Sequence, residues 1–383
     1  MKRRIIIALL IISAGLFLFW RFIRPMNIFV VSEAFERPIH VETMPVPMKD
    51  LSAKACAACH REIYNEWATT MHSRAWTDPY FQADFRFEGS QQICKNCHIP
   101  LENQQEELVL GFRDKEKWDP ILKPNPNFDS TLQTEGVTCT VCHLREGRIL
   151  GPYGSASSPH AVVKMTDPNQ ACVRCHVVSG KRWDTFFRMP PCGTVAEIKS
   201  TGEIEMKCVQ CHMPELQRSI VAGGKVRITR RHLWRGGHDT DTVKNGLQVK
   251  LQEQAAAPGK RKYTLTLANI GAAHYLPTGT PDRHLTVDLR LLDMNGKIVK
   301  KQHYTLKRTI LWRPFIIEFG DTRLPYLKSR TYTTAFSTNG RNAPKVFEVV
   351  IRYHLLAESR RKRIGYESKE PISYEIFYKK ISL

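Results

Sequence analysis

The chain has 383 residues, 42% hydrophobic and 25% charged. That balance suggests about two globular domains and excludes a small disulfide-stapled fold. The formal net charge of +20 is unevenly placed: residues 1–216 hold 25 Lys+Arg against 24 Asp+Glu, and residues 217–383 hold 32 against 13. A basic half of that size points to anionic partners.

In chain order, Lys2-Arg3-Arg4 precede an apolar run from Ile5 to Trp20. The run resembles a secretory signal, yet no small-x-small cleavage site ends it. It continues through Phe17-Leu18-Phe19-Trp20 into Arg21, Arg24 and Pro25. Sixteen residues are short for a span, but Arg21 can snorkel and let Phe22 and Ile23 extend it. Residues 1–24 are therefore expected to form a signal anchor, a membrane helix with its positive end inside. Cleavage, and so secretion, is the alternative. Residues 25–50, with Pro25, Pro38, Pro45 and Pro47, read as an extended tether.

Residues 51–243 carry one pentapeptide five times, followed by a connector. The copies are Cys56-Ala-Ala-Cys59-His60, Cys94-Lys-Asn-Cys97-His98, Cys139-Thr-Val-Cys142-His143, Cys172-Val-Arg-Cys175-His176 and Cys208-Val-Gln-Cys211-His212. The first cysteines are 38, 45, 33 and 36 residues apart, with no strict repeat. Short helices at each motif and long irregular loops are expected, Pro120 to Ser130 being one such loop. Residues 244–383 change character. Strand-like stretches recur at Leu247–Gln252, Tyr263–Ala268, Leu285–Leu291, His303–Thr309, Thr331–Phe336, Val346–His354 and Ile372–Tyr378. Turn signals such as Pro258-Gly259, Asn295-Gly296 and Asn339-Gly340 separate them. About seven strands suggest an antiparallel β-sandwich. The expected fold class is a mainly α-helical and irregular domain around the five motifs, then an all-β sandwich, behind an N-terminal membrane helix.

C-x-x-C-H is the attachment signature of c-type haem. Cysteines at i and i+3 share one face of a helical turn, so both thiols can form thioethers to one porphyrin. The next histidine is then carried under the ring as the proximal iron ligand. Zinc sites do not require a His after every pair, and five pairs do not divide into two-pair sites. Cys56, Cys59, Cys94, Cys97, Cys139, Cys142, Cys172, Cys175, Cys208 and Cys211 are thus assigned to five covalently bound haem c groups. His60, His98, His143, His176 and His212 are assigned to the irons. Haem c is attached outside the cytoplasm, so nucleic acid is discounted as a partner and the body is expected at the periplasmic face of the inner membrane. It would be extracellular if the anchor is cleaved. The haem propionates make the first part more acidic, which leaves the basic β-domain to dock on it, on an acidic partner or on anionic lipid. A solvated basic face without a partner is the alternative. Arg360-Arg361-Lys362-Arg363, the densest basic patch, is expected in a loop.

Nine histidines remain: His40, His72, His160, His232, His238, His274, His284, His303 and His354. The candidates for the second axial position are His72 after the first motif, His160 between the third and fourth, His232 and His238 after the fifth, and His274 in a strand-to-strand loop. For each, the alternative is a histidine without iron. His284, His303 and His354 lie within strand patterns and are read as structural, and His40 on the tether stays open. Cys192, the one cysteine outside the motifs, reads as a free buried thiol, with axial thiolate ligation as the alternative.

Cys56–Trp76 resembles the first haem segment of the cytochrome c-554 family of multihaem cytochromes. Cys208-Val-Gln-Cys211-His212-Met213-Pro214, followed by His232-Leu-Trp-Arg-Gly-Gly-His238-Asp239, is similar to the end of the haem region in these proteins. The loop His274-Tyr-Leu-Pro277-Thr-Gly279-Thr-Pro-Asp-Arg283 is similar to a motif of multihaem cytochromes with a C-terminal β-sandwich. Together these cover roughly residues 50–290. The resemblance implies closely packed bis-histidine haems serving electron transfer, with His72, His160, His232, His238 and His274 as distal ligands. The family's archetype carries four haems where this chain has five motifs, so the pairing of ligands to haems stays open. If His274 is a ligand, the β-domain closes one haem, and Arg283 can pair with a propionate.

The expectation is an electron-transfer protein rather than an enzyme. It is a membrane-anchored pentahaem relay between a membrane-side donor and a periplasmic or extracellular acceptor, both unidentified redox partner proteins. One rival is a pentahaem reductase or oxidase of small nitrogen or sulfur oxyanions with one open-site haem. Another is a subunit of a polymeric cytochrome filament.

Overall fold

The computed structural model describes residues 2–23, 36–114, 117–155, 159–176, 193–202, 207–311, 317–340 and 343–383. Helix α1 (Lys2–Ile23) forms where the sequence predicts an anchor. Its apolar side chains, such as Ile5, Leu10, Ile12, Leu16 and Phe19, are exposed. No helix among the described residues is long and apolar enough to cross a membrane, and α1 is described with its side chains over residues 3–19.

Each of the five motifs sits on its own short helix. These are α2 (Ala53–Ala57), which ends ahead of Cys59 and His60, α5 (Gln92–His98), α7 (Cys139–His143), α8 (Asn169–His176) and α10 (Cys208–His212). Between them lie α3 (Arg61–Ala68), α4 (Pro79–Phe87), α6 (Ser130–Thr134) and α9 (Thr194–Thr201). Three small sheets brace the loops. They are β1 (Glu107–Phe112) with β2 (Pro120–Pro124), the three-stranded set β3 (Leu144–Arg145), β4 (Arg148–Gly151) and β5 (Val162–Lys164), and the hairpin β6 (Glu215–Ser219) with β7 (Val226–Arg230). The stretch Pro120 to Ser130 is therefore not all irregular, because β2 opens it. Its two prolines sit at the ends of a two-stranded pair, where a missing N–H is tolerated.

The apolar core of this region is small, built from Leu51, Leu101, Leu132, Val141 and Leu144. Buried amides do much of the bracing. Gln104 donates to the carbonyls of Leu132 and Gly136, Gln105 to that of Ile99, and Asn125 to those of Glu102 and Gln105. A small core with satisfied polar groups suits a region that must leave room for large apolar cofactors.

After α11 (Thr240–Gly246) come β8 (Leu247–Gln254), β9 (Lys260–Asn269), β10 (His284–Leu292), β11 (Ile298–Leu306), β12 (Arg308–Leu311), β13 (Ile317–Asp321), β14 (Ser329–Ser337), β15 (Val346–His354), α12 (Glu358–Arg363) and β16 (Ser373–Ser382). One antiparallel sheet has the order β11-β10-β15-β16, the other β14-β9-β8, and β12 pairs with β13. Leu285, Val287, Leu289 and Leu291 of β10 alternate with outward residues, as do Phe347, Val349, Ile351 and Tyr353 of β15. They meet Tyr263, Leu265 and Leu267 of β9 in one core. The run at His303–Thr309 divides into the end of β11 and the start of β12, and β13 lies outside the seven predicted stretches. The basic run Arg360 to Arg363 is helical rather than a loop, because Glu358 in the first turn pairs with Arg361 at 2.7 Å.

The two regions are joined by specific polar contacts. Arg360 reaches Asp84 on α4 and Glu88 just past its end, each at 2.6 Å. Tyr374 donates to the Gly237 carbonyl at 2.6 Å. Arg323 pairs with Glu197 on α9 at 2.7 Å, both fully buried.

Candidate haem-iron sites

The motif helices cap one another. Glu135, which follows α6, accepts the Ala53 N–H at the start of α2 at 2.7 Å. Thr138 caps α7 by accepting the Thr140 N–H, and both threonine hydroxyls donate to the Leu51 carbonyl ahead of α2. At the other end, Asn169 of α8 accepts the Cys208 N–H that opens α10. The bonds from Ala53, Thr140 and Cys208 satisfy orphan donors at helix starts, and the contacts of Glu135, the two threonine hydroxyls and Asn169 tie neighbouring motifs together.

The attachment cysteines consequently meet in pairs. Cys56 lies beside Cys139, Cys97 beside Cys175, and Cys172 beside Cys208. Cys142 lies close to Cys175. The fourth motif thus adjoins the second, third and fifth, and the third adjoins the first. None of the ten motif cysteines is in a disulfide.

Eight of the histidines lie in pairs, with ring planes 13–66° apart. The rings of His60 and His160 are 6.2 Å apart, His72 and His176 6.3 Å, His143 and His232 6.0 Å, and His212 and His274 6.3 Å. Two imidazoles bound trans to one metal ion through bonds of about 2.0 Å have centroids about 6.3 Å apart. Four pairs therefore have the spacing that an iron between them requires. Hydrogen bonds set the tautomer. The Nδ1–H groups of His60, His143, His212, His232 and His274 face the carbonyls of Ile220, Leu150, Arg235, Arg230 and Tyr275 at 2.8–3.0 Å. That leaves Nε2 as the ligating atom. Burial, with repulsion from neighbouring histidines, pushes His72 down to about 4, and burial does the same to His232. Both are thereby held in the neutral, ligating form. The donor set fits haem c: two thiols and a histidine per motif, with a second histidine opposite in four cases.

The second motif differs. His98 donates Nδ1–H to the Ala75 carbonyl at 2.6 Å, and its ring stacks flat on Phe81 at 3.6 Å. Among the described residues no histidine ring stands opposite it at the spacing of the other four. His238, the fifth distal candidate, is not brought opposite a motif histidine. Arg283 Nη2 donates to its Nε2 at 3.3 Å, in a solvent-exposed contact. His40 is bonded to Glu102 at 2.8 Å. His284 and His354 stack across β10 and β15, and His303 bonds Asp288, in keeping with structural roles. Cys192 lies outside the described residues.

Three contributors were not singled out in the sequence. Glu66 accepts the His232 N–H at 2.8 Å and a bidentate pair of bonds from Arg218 at 2.9 Å. Burial opposes its charge, but these bonds hold its carboxyl below the usual range. Trp234 packs edge-on against both His72 and His232, with its backbone at φ +41°. Glu197 supports the His274 loop. Spacing could not reveal them, since their partners are tens of residues or more away, apart from the His232 that Trp234 touches.

A family described as cytochrome c554 and c-prime matches residues 55–119, which contain the first two motifs and His72. The chain is also similar to a penta-heme cytochrome c552 from Thermochromatium tepidum. The two are 21% identical with a TM-score of 0.65, over 88% of this chain and 100% of that chain. The chain is a multihaem c-type cytochrome. At 21% identity the structural likeness speaks to the cytochrome's fold alone. A beta-glucosidase from Kluyveromyces marxianus also matches, but its TM-score of 0.14 is too low to bear on the fold. No curated protein matches the cytochrome.

Proposed function

We propose that this cytochrome is a membrane-anchored pentahaem electron relay. It would pass single electrons between a membrane-side donor and a periplasmic or extracellular acceptor. The family match supports electron transfer. The observation that carries the reading is the set of four opposed histidine pairs at 6.0–6.3 Å. Bound haem c supplies one-electron chemistry at its iron. The protein's part would be to hold each of four irons between two histidines, His60 and His160, His72 and His176, His143 and His232, and His212 and His274, which would leave no position for substrate. Contact between motif cysteines supports close spacing, with the fourth motif at the junction. The apolar, exposed α1 supports anchoring, since a helix apolar on every side needs a lipid or protein surround.

One observation favours a second reading for a single centre. His98 has no opposing histidine among the described residues, which suits an open-site haem acting on small nitrogen or sulfur oxyanions. Low-temperature EPR of the oxidised, haem-loaded protein, with haem quantified per chain, tests both. The relay predicts five haems per chain, at least four of them low-spin. A fifth low-spin signal, indifferent to nitrite, hydroxylamine and carbon monoxide, leaves only the relay. A high-spin signal that answers these ligands and disappears in His98→Ala assigns the enzyme reading to that motif. Fewer than four low-spin centres would sink the proposal.

A further inference from the structure

The loop that carries His274 is held by a buried ion network reaching across both regions. Glu197 lies on α9 in the haem region and is 1% exposed, and Arg323 follows β13 and is 3% exposed. Arg323 Nη1 donates to Glu197 Oε1 at 2.7 Å and to the Pro277 carbonyl at 3.1 Å. Arg323 Nε and Nη2 grip both carboxylate oxygens of Asp321. The other Glu197 oxygen, Oε2, accepts the Tyr275 N–H at 3.2 Å and the Thr278 hydroxyl at 2.6 Å. Tyr275 also covers the Arg323 guanidinium, whose carbon lies 5.1 Å from the ring centroid. Its carbonyl takes the Nδ1–H of His274 at 3.0 Å. Glu197 is thus one residue removed from the group that orients the imidazole.

This arrangement is costlier than simple loop closure requires. Asn269 already pins the turn through the Ala272, His274 and Leu324 carbonyls, and Leu276 pairs with Leu324 in both directions. A buried ion pair with its desolvation cost is weak evidence for stability alone. Formal charges leave the network at −1: two carboxylates against one guanidinium. The nearby Arg308–Glu318 pair is neutral as a unit. A fixed negative charge in a low-dielectric interior favours the more positive, oxidised state of a neighbouring iron.

We propose that Glu197, Arg323 and Asp321 position His274 and hold down the reduction potential of the centre anchored at Cys208 and Cys211. The inference rests on reading His274 as the ligand opposite His212. Glu197 and Arg323 are positioning residues, since neither touches the imidazole.

The test compares the full-length, haem-loaded protein with His274→Ala, Glu197→Gln, Arg323→Gln and Arg323→Lys, by EPR and by spectroscopic redox titration. His274→Ala should convert one low-spin signal to high-spin and so mark the fifth centre. Glu197→Gln can keep the bonds to Tyr275 and Thr278 while removing the charge. It should leave all signals low-spin and shift the potential of that one centre upward. Arg323→Gln should turn part of the same signal high-spin, and Arg323→Lys should restore most of it. If His274→Ala changes no signal, the ligand assignment falls. If it does, but Glu197→Gln leaves that centre's potential unmoved, the proposal is overturned. Should Arg323→Gln fail to fold, Glu197→Gln decides alone.

Discussion

Gly136 shows how one residue sets a ligand. Its φ is +61°, and a Cβ there would lie 2.7 Å from the His72 carbonyl oxygen and 3.0 Å from the Ala75 nitrogen. Both are backbone atoms that cannot swing aside. The next residue, Val137, donates its N–H to the same His72 carbonyl at 2.9 Å. Gly136→Ala should cost about 1–2 kcal/mol for the left-handed backbone alone. The forced contact would add to that and push His72 off the line to His176. The expected result is a lower unfolding temperature together with a partial high-spin signal in EPR. An unchanged spectrum would mean that His72 is held from elsewhere. The cysteines and proximal histidines were legible because C-x-x-C-H is a local code: spacing alone puts three side chains on one turn. His160, His232 and His274 were legible as candidates, but not their pairing, which depends on how distant loops close. Glu66, Glu197 and Trp234 carry no local signal. An acid or an aromatic in a polar stretch reads the same whether it faces solvent or the back of an imidazole.

At the scale of elements, period-2 alternation found the two-sheet β-domain well. Val346–His354 is a strand with those limits because four large apolar residues alternate along it toward one core. The signal failed at β13, a short strand that shares a hairpin with β12 and adds little to that core. The outer face of the larger sheet has its own chemistry. His284 and His354 are directly opposed on β10 and β15, with ring centroids 4.2 Å apart. Burial first, then His284, Arg352 and His303, push His354 down to about 4, and Asp288 opposes them only weakly. The unfolded chain would bind that proton near the ordinary value of about 6.5. Stability from the neutral pair is therefore complete above about 6.5 and is lost as pH falls toward about 4. The apparent unfolding temperature should fall across that window, and His354→Gln should flatten the fall. An equal slope in the variant would assign the effect to other groups.

Across the whole molecule, charge is divided by region, and this was visible in composition before any fold was known. What composition could not say is where the basic groups stand. Lys300 and Lys301 are on β11, and Lys379 and Lys380 on β16, the two edges of the larger sheet, and all four are exposed. Lysines on edge strands deter strand-to-strand association, so some of this charge serves solubility whatever else it does. Docking on an anionic surface makes a different demand, because the charge must act across solvent and be screened by salt. Exposed charges lose most of their reach beyond the Debye length, about 10 Å at 0.1 M ionic strength. The haem-loaded protein lacking residues 1–24 should bind vesicles rich in anionic lipid at low ionic strength and ignore zwitterionic ones. Rising salt should release it steeply. Replacing Lys379 and Lys380 by glutamate should weaken binding several-fold and make the remainder less salt-dependent, while the EPR spectrum stays unchanged. Edge protection alone predicts the opposite result: no vesicle binding by the unaltered protein, and no new aggregation in the variant, because glutamate guards an edge as well as lysine does.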